Sequence, residues 1–306
     1  MSDEIILHHY WSSPFSEKVR LLLGMKGLAW RGVIQPVIMP KPDLGPLTGG
    51  YRRIPVMQIG ADVFLDSTAI MAEIERRHPE PRVIRGSDWA LNAWADRLLF
   101  QPTVAIIFGA LGGSIDPAFI KDREALSGRP FDAAAMKAAG PAARGQFRAA
   151  LAWLEAQLGE GGPFVGGERP SLGDIAFWLN VWFYGSAFKA QLEHDMAPFP
   201  RVTAWRARIA AIGRGAHAEM APAEALAVAS GSEPENPLHI AHDPDDPSGL
   251  SPGEAVTVSA DDYGRDPVAG TLLAANSQGI VISRRTAELG QMNLHFPRAG
   301  YVLSAA

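Results

Sequence analysis

The sequence predicts three folded parts: an α/β unit, an all-α domain and a small all-β unit. Three observations carry this. Strand and helix signals alternate through residues 1–80, and helix signals alone fill 87–230. After a proline-rich linker at 231–252, short alternating β segments recur through 253–306. The length, 306 residues, suits two domains and a small third. With 47% apolar and 20% charged residues the chain has enough apolar surface to bury a core, unlike a disordered one.

In the α/β unit, Ile5-Ile6-Leu7 reads as a short buried strand. Ser13 is placed to cap a helix and Pro14 to be its first residue. Val19, Leu21, Leu22, Leu23 and Met25 form its apolar pattern, and Gly27 ends it. Residues 30–37 read as a second strand. Residues 39–50, with three prolines and three glycines, read as an irregular loop. Residues 55–59 and 62–65 form a hairpin turned by Gly60-Ala61, and 67–78 a helix stopped by Pro79.

The all-α domain opens with a helix from Ser87 through Trp94, Leu98 and Leu99 to Pro102. Pro141 opens another through Phe147, Leu151, Leu154 and Leu158. Ser171-Leu172-Gly173-Asp174 opens a third, whose Ile175, Phe177, Trp178, Leu179, Val181 and Trp182 leave no polar face. Such a helix belongs at the centre of its domain. Helices over 202–212 and 216–229 complete it. Segments 255–259, 271–275, 280–284, 293–296 and 301–303 then read as five strands of a small β-barrel-like appendage. Val256, Val258, Leu272, Ile280, Ile282, Leu294, Phe296 and Val302 should point inward. The expectation is a compact structural unit docked on the helical domain, away from any cleft.

Composition closes off several functions. With no cysteine there is no disulfide, no thiol nucleophile and no thiolate metal site. The net charge of −5 is uneven: residues 231–306 hold ten acids against four bases, and no segment has the basic footprint that nucleic acid requires. The apolar stretch at 104–111 is too short to span a bilayer, and the acidic start Met1-Ser2-Asp3-Glu4 is unlike a signal peptide. A cytoplasmic protein with no membrane partner is expected. His239-x-x-His242-Asp243, with Asp245 and Asp246, lies in the proline-rich linker and reads as solvated, so no metal is expected. His8 and His9 read as packed within the first strand.

Three motifs carry chemistry. Trp11-Ser12-Ser13-Pro14-Phe15-Ser16-Glu17-Lys18-Val19-Arg20 sits at the first strand-to-helix turn. Arg52-Arg53-Ile54-Pro55-Val56 is followed, eleven residues after the proline, by Asp66-Ser67. Ser171-x-x-Asp174 opens the central helix. In this order, followed by an all-helical domain, they resemble the cytosolic glutathione transferase family, specifically its serine-type tau and zeta classes and the omega class. The resemblance covers about residues 4–228; the last 75 or so fall outside it.

The resemblance implies a thioredoxin-like first domain, glutathione as cosubstrate and a homodimer, for which the faces around Met71, Ile74 and Trp94 are candidates. It implies that Ser13 donates a hydrogen bond to the glutathione thiolate. A hydroxyl at the positive end of a helix suits that task, since lowering a thiol pKa by one unit takes about 1.4 kcal/mol. Ser12, Ser16 and Tyr10 are rival hydroxyls. Ile54 and Pro55 are implied to form a cis bond and pair with the cysteinyl part. Asp66 would face the γ-glutamyl ammonium, and Ser67 the carboxylate. Glutamate is the commoner residue where Asp66 stands. Arg53 is implied to meet the glycyl carboxylate, with Arg52 and Lys41 as alternatives. Gln101, Pro102, Phe108 and Trp182 are candidates to line the second substrate's site. The implied reaction is attack of the thiolate on a small electrophile. Glutathione-dependent isomerisation or ether or halide cleavage, or a non-catalytic scaffold, are the alternatives. The lack of cysteine counts against omega-like thiol transfer.

Overall fold

The computed structural model describes residues 4–236 and 238–306. Met1, Ser2 and Asp3 of the acidic start, and Pro237, lie outside the described residues. The first domain runs β1 (Ile6–His9), α1 (Pro14–Met25), β2 (Ala29–Ile34), a single turn α2 (Gly45–Thr48), β3 (Val56–Ile59), β4 (Asp62–Leu65) and α3 (Ser67–Arg77). β1 pairs with β2 in parallel and with β3 antiparallel, and β3 with β4 antiparallel, as the thioredoxin-like expectation requires. The punctuation works as read. The Ser13 Oγ accepts from the Ser16 N–H at 3.1 Å, and Gly27 reverses the chain at a φ of 63°.

In the helical domain, α4 (Asp88–Trp94) continues through a π turn (Ala95–Leu99) into α5 (Phe100–Leu111). Then come α6 (Pro117–Ser127), α7 (Ala133–Gly161), α8 (Leu172–Ala187), α9 (Lys189–Met196) and α10 (Pro200–Ile212). Two prolines expected at helix boundaries are interior. Pro102 is the third residue of α5, one helical turn after the widened π turn, and the next side chain, Thr103, donates to the Leu99 carbonyl. Pro141 lies inside α7, whose start is capped by Asp132 accepting from the Ala135 N–H at 2.8 Å. The motif at α8 forms a buried capping box: Ser171 accepts from the Gly173 N–H, and Asp174 accepts from the backbone of Ser171, Val165 and Gly166 and from the Trp205 indole.

The single helix expected over 216–229 divides into β5 (Ala216–Glu219) and α11 (Pro222–Ser230). β5 lies in parallel on β2, and the turn into it passes so close that a Cβ at Gly215 would stand 2.3 Å from the Leu28 carbonyl oxygen. That approach, invisible in the local pattern, overrides the helical propensity of the alanines.

The C-terminal strands are β6 (Ala255–Ala260), β7 (Val268–Ala275), β8 (Gly279–Thr286), β9 (Gly290–Pro297) and β10 (Tyr301–Ala305). They run antiparallel in the order β10-β6-β7-β8-β9 and do not close into a barrel. β9 instead pairs in parallel with β4, matching Asp62 with Asn293, Val63 with Leu294 and Phe64 with His295, so one sheet of ten strands crosses the molecule. The expected docking on the helical domain is met only at its loop, through Asp261 on Arg97 and the Gly264 N–H on the Leu126 carbonyl; the main seam joins the appendage to the edge of the first sheet. The reason is a second core, in which Val56, Val63 and Leu65 meet Val258, Leu272, Ile282 and Leu294. Seven of the eight residues expected inward are buried; Val302 faces out, and Tyr301 and Leu303 face in, a one-residue change of phase. At the seam the His295 Nε2 is 2.7 Å from the Asp62 Oδ1, and its ring stacks on Phe64. The linker holds no strand or helix among its described residues, yet is tied down, with the Glu235 N–H donating to the Asp62 Oδ2 at 2.6 Å. Among the described residues no helix is long and apolar enough to cross a membrane.

Candidate functional site

A cleft of about 970 Å³ opens where the three parts meet. Its first wall is built from the ends of β3, β4 and α3 and carries Arg53, Ile54, Pro55, Asp66 and Ser67, five of the six residues singled out from the sequence. The Ile54–Pro55 peptide is cis. Asp66 caps α3, its Oδ1 accepting from the Thr68 N–H at 2.8 Å. It sits at φ 82° and ψ 141°, at positive φ where the chain otherwise uses glycine among the described residues. Holding a residue with a Cβ there costs about 1–3 kcal/mol. A glycine would remove that strain, so the position keeps its carboxylate against a conformational cost.

Ser13 is not on the wall. It lies 1% exposed at the start of α1, while Phe15 reaches the cleft. Its rivals are no better placed. Ser12 faces out, the buried Ser16 Oγ has no partner, and Tyr10 is half-buried, its phenol pushed up by burial. Arg52 and Lys41 turn away under α6. Arg52 pairs with Asp122 at 2.7 Å, and Lys41 is buried and brought down to about 8 by that burial.

The second wall comes from α4 and the π turn, through Trp89, Asn92, Asp96 and Arg97. The fully buried Lys18 of α1 grips both Asp96 carboxylate oxygens at 2.6 and 2.7 Å. Burial pushes the Asp96 carboxyl up, and the Lys18 charge opposes that. Gln101, Pro102, Phe108 and Trp182 do not reach the cleft. Phe108 packs among Phe119, Phe131 and Phe183, and Trp182 lies beside Arg20.

The third wall belongs to the appendage, which the sequence reading placed elsewhere. The β6–β7 loop contributes Asp261, Asp262 and Tyr263, and β10 contributes Tyr301. Asp262 makes a short ion pair with Arg53, whose guanidinium lies 4.0 Å over the Tyr263 ring. Asp261 pairs with Arg97 at 2.7 Å. The Tyr301 hydroxyl is 3.2 Å from the Asp66 Oδ2 and 2.8 Å from the Tyr51 hydroxyl. Burial pushes the phenols of Tyr51, Tyr263 and Tyr301 up, so they stay protonated. A carboxylate only accepts, so Tyr301 donates to Asp66 and Tyr51 donates to Tyr301.

The histidines of the linker diverge. His239 comes within 4.8 Å of carboxylate oxygens of Glu73 and Glu235, but Arg76 and Arg77 already pair with Glu73, and Arg77 with Glu235. His242 points elsewhere and accepts from the Ala275 N–H. His8 and His9 are buried in β1, as expected. Met71 and Ile74 lie in the interior of the chain, so neither offers a surface to a second copy; Trp94 is half-buried against the exposed Trp153.

Residues 7–82 match the family model of the glutathione S-transferase N-terminal domain, and 123–208 that of the C-terminal domain. Among solved structures, a GST-like protein from Pseudomonas syringae is similar over 100% of both chains, with 31% identity and a TM-score of 0.82. That likeness includes the appendage. A tau class glutathione S-transferase from mango, Mangifera indica, covers 69% of this chain and 90% of its own, with 18% identity and a TM-score of 0.51. A glutathione S-transferase from Rhodospirillum rubrum F11 covers 67% and 87%, with 19% identity and a TM-score of 0.52; both are likenesses of fold. None of the curated proteins matches. A thioredoxin-like domain and a helical domain, each matched in place, and a relative alike from end to end put this chain in the glutathione S-transferase family.

Proposed function

We propose that the cleft binds a γ-glutamyl thiol of the glutathione type and activates its sulfur for attack on a small electrophile. The observation that carries this is Asp66, a carboxylate kept at positive φ on the end of α3, next to Ile54, Pro55 and Arg53 on one wall. Asp66 receives the ligand's ammonium. Ser67 and the N–H groups opening α3 receive its carboxylate, where the helix dipole favours an anion. The Ile54 backbone pairs with the cysteinyl part as an added strand. The thiol-activating hydroxyl is Ser13. Its Oγ accepts from the Ser16 N–H at the positive end of α1 and lies buried off the cleft wall, so the role requires the bound thiol to come to that end of α1. A serine-type homodimer in the cytoplasm completes the reading, on the strength of the sequence motifs.

Titration calorimetry with glutathione and with its glycyl ethyl ester tests it. At least one should bind between micromolar and millimolar, about −8 to −4 kcal/mol. Asp66→Ala should weaken that binding about tenfold or more, because it removes the acceptor of the ammonium. Ser13→Ala should leave affinity unchanged and raise the pKa of the bound thiol, followed by thiolate absorbance. No heat with several millimolar of either ligand would overturn the reading. An unmoved thiol pKa would remove Ser13 alone.

A further inference from the structure

Every arginine on the cleft wall already has a carboxylate of this chain on it. Arg53 meets Asp262, Arg97 meets Asp261 at 2.7 Å, and Arg76 meets Glu73 at 2.7 Å. The wall also carries Glu75, Asp96 and Asp66. Glu75 and Asp96 are matched from behind by Lys26 and Lys18. Asp66 differs: the donors on it are neutral, the Thr68 N–H and the Tyr301 hydroxyl. A ligand's ammonium therefore finds an open carboxylate, whereas a carboxylate at the ligand's far end finds its cation taken.

Asp262 is built into that position. The Arg53 side chain is 11% exposed and lies on the Tyr263 ring, so the pair is sheltered on one face. Beyond it, the Gly264 N–H donates to the Leu126 carbonyl of α6 at 2.6 Å, at a φ of 54° and so close that a Cβ would stand 2.9 Å from the Leu126 Cδ1. The loop is thus pinned across the cleft, with Asp262 on the residue that would read the glycyl carboxylate.

We propose that Asp262 is the specificity-determining residue of this cleft. It is an internal carboxylate that neutralises Arg53, so the site selects γ-glutamyl thiols whose far end is uncharged, as in a glycyl amide or ester, over free glutathione. The proposal rests on the glutathione-type reading of the first wall. A free glycyl carboxylate has to displace Asp262 or lie against it, setting two anions on one guanidinium. An amide or ester avoids both.

The test is calorimetric titration of the full chain, as wild type, Asp262→Asn and Asp262→Ala, with glutathione and with its glycyl ethyl ester. Asn keeps the size of the side chain and the acceptor for the Tyr263 N–H, now made by Asp262 at 2.7 Å, so it guards against collapse of the loop. The wild type should bind the ester about tenfold more tightly, a difference of about 1.4 kcal/mol. Both variants should gain about tenfold for glutathione and stay within about twofold for the ester, so that the preference disappears. A wild type that prefers free glutathione, or a preference unchanged in both variants, overturns the proposal and leaves the reading of the first wall standing. Absence of binding by either ligand to all three proteins overturns both.

Discussion

The four strands of the first domain have two open edges, and both are covered by parallel strands from the C-terminal third of the chain. On one side β5 lies on β2 with all four of its residues exposed. On the other, β9 lies on β4 through residues that are almost wholly buried, and behind them stands a core to which the first domain and the appendage both contribute. The ladders have the same geometry, but only the second makes two domains into one body. Backbone pairing satisfies an edge; the shared apolar face is what couples stability across it.

The largest test removes the second flank. A chain ending at Ser230 exposes Val56, Val63 and Leu65, each buried to within 1% of completely. Burial of each such side chain contributes up to about 1.5–3 kcal/mol, against a net stability of about 5–15 for a whole domain. We expect loss of a cooperative thermal transition and binding of a hydrophobic dye. A sharp melt near the wild-type temperature would show that the appendage merely leans on the sheet.

The next effect is set between the flanks, on β1. His8 is fully buried and brought down to about 4, and His9 to about 3, in both cases first by burial; in His9 the neighbouring Arg20 charge adds to it. The unfolded chain binds protons near pH 6.5 that the folded chain refuses, so stability is full above 6.5 and falls as the pH drops towards 4 and 3. Between pH 7 and pH 5 the pair should remove about 4 kcal/mol, measured by urea unfolding at each pH. A flat profile over that window would show that these rings open to water or find a partner for their protons.

The smallest effect belongs to the first flank. His217 on β5 stacks on Trp30 with ring centroids 5.2 Å apart. His217→Ala should cost about 1 kcal/mol or less. A larger loss in the same unfolding assay would mean that β5 couples the sheet as β9 does.

The legible parts of the fold were those written locally. Ser13-Pro14, Gly27 and the Ser171-x-x-Asp174 box act within a few residues of themselves, and the sequence pattern placed each of them. Pro102 misled as a stop and Pro141 as a start, because an isolated proline reads as a helix boundary, while a helix beside a π turn or an exposed helix face tolerates it. The hidden parts were long-range. The acidity of Asp261-Asp262-Tyr263 is plain in the sequence, but its target, Arg53, lies more than 200 residues away. The open edge of β4 gives no signal either, because Val63 and Phe64 are apolar whichever neighbour covers them. For the same reason the first wall was legible as a motif, and the third wall was not.

The partners Asp62 and Asn293 are 231 residues apart in the chain. A ribosome adds about 5–20 residues per second, so β4 waits some tens of seconds for β9 while the helical domain is being made. Through that interval Val56, Val63 and Leu65 face water beside an unpaired strand edge, the arrangement that invites pairing with another chain. Newly made molecules are therefore most vulnerable after the helical domain has emerged and before the final strands arrive. In the cell, yield should depend on chaperone supply and on slow, dilute synthesis more than on the stability of the finished protein.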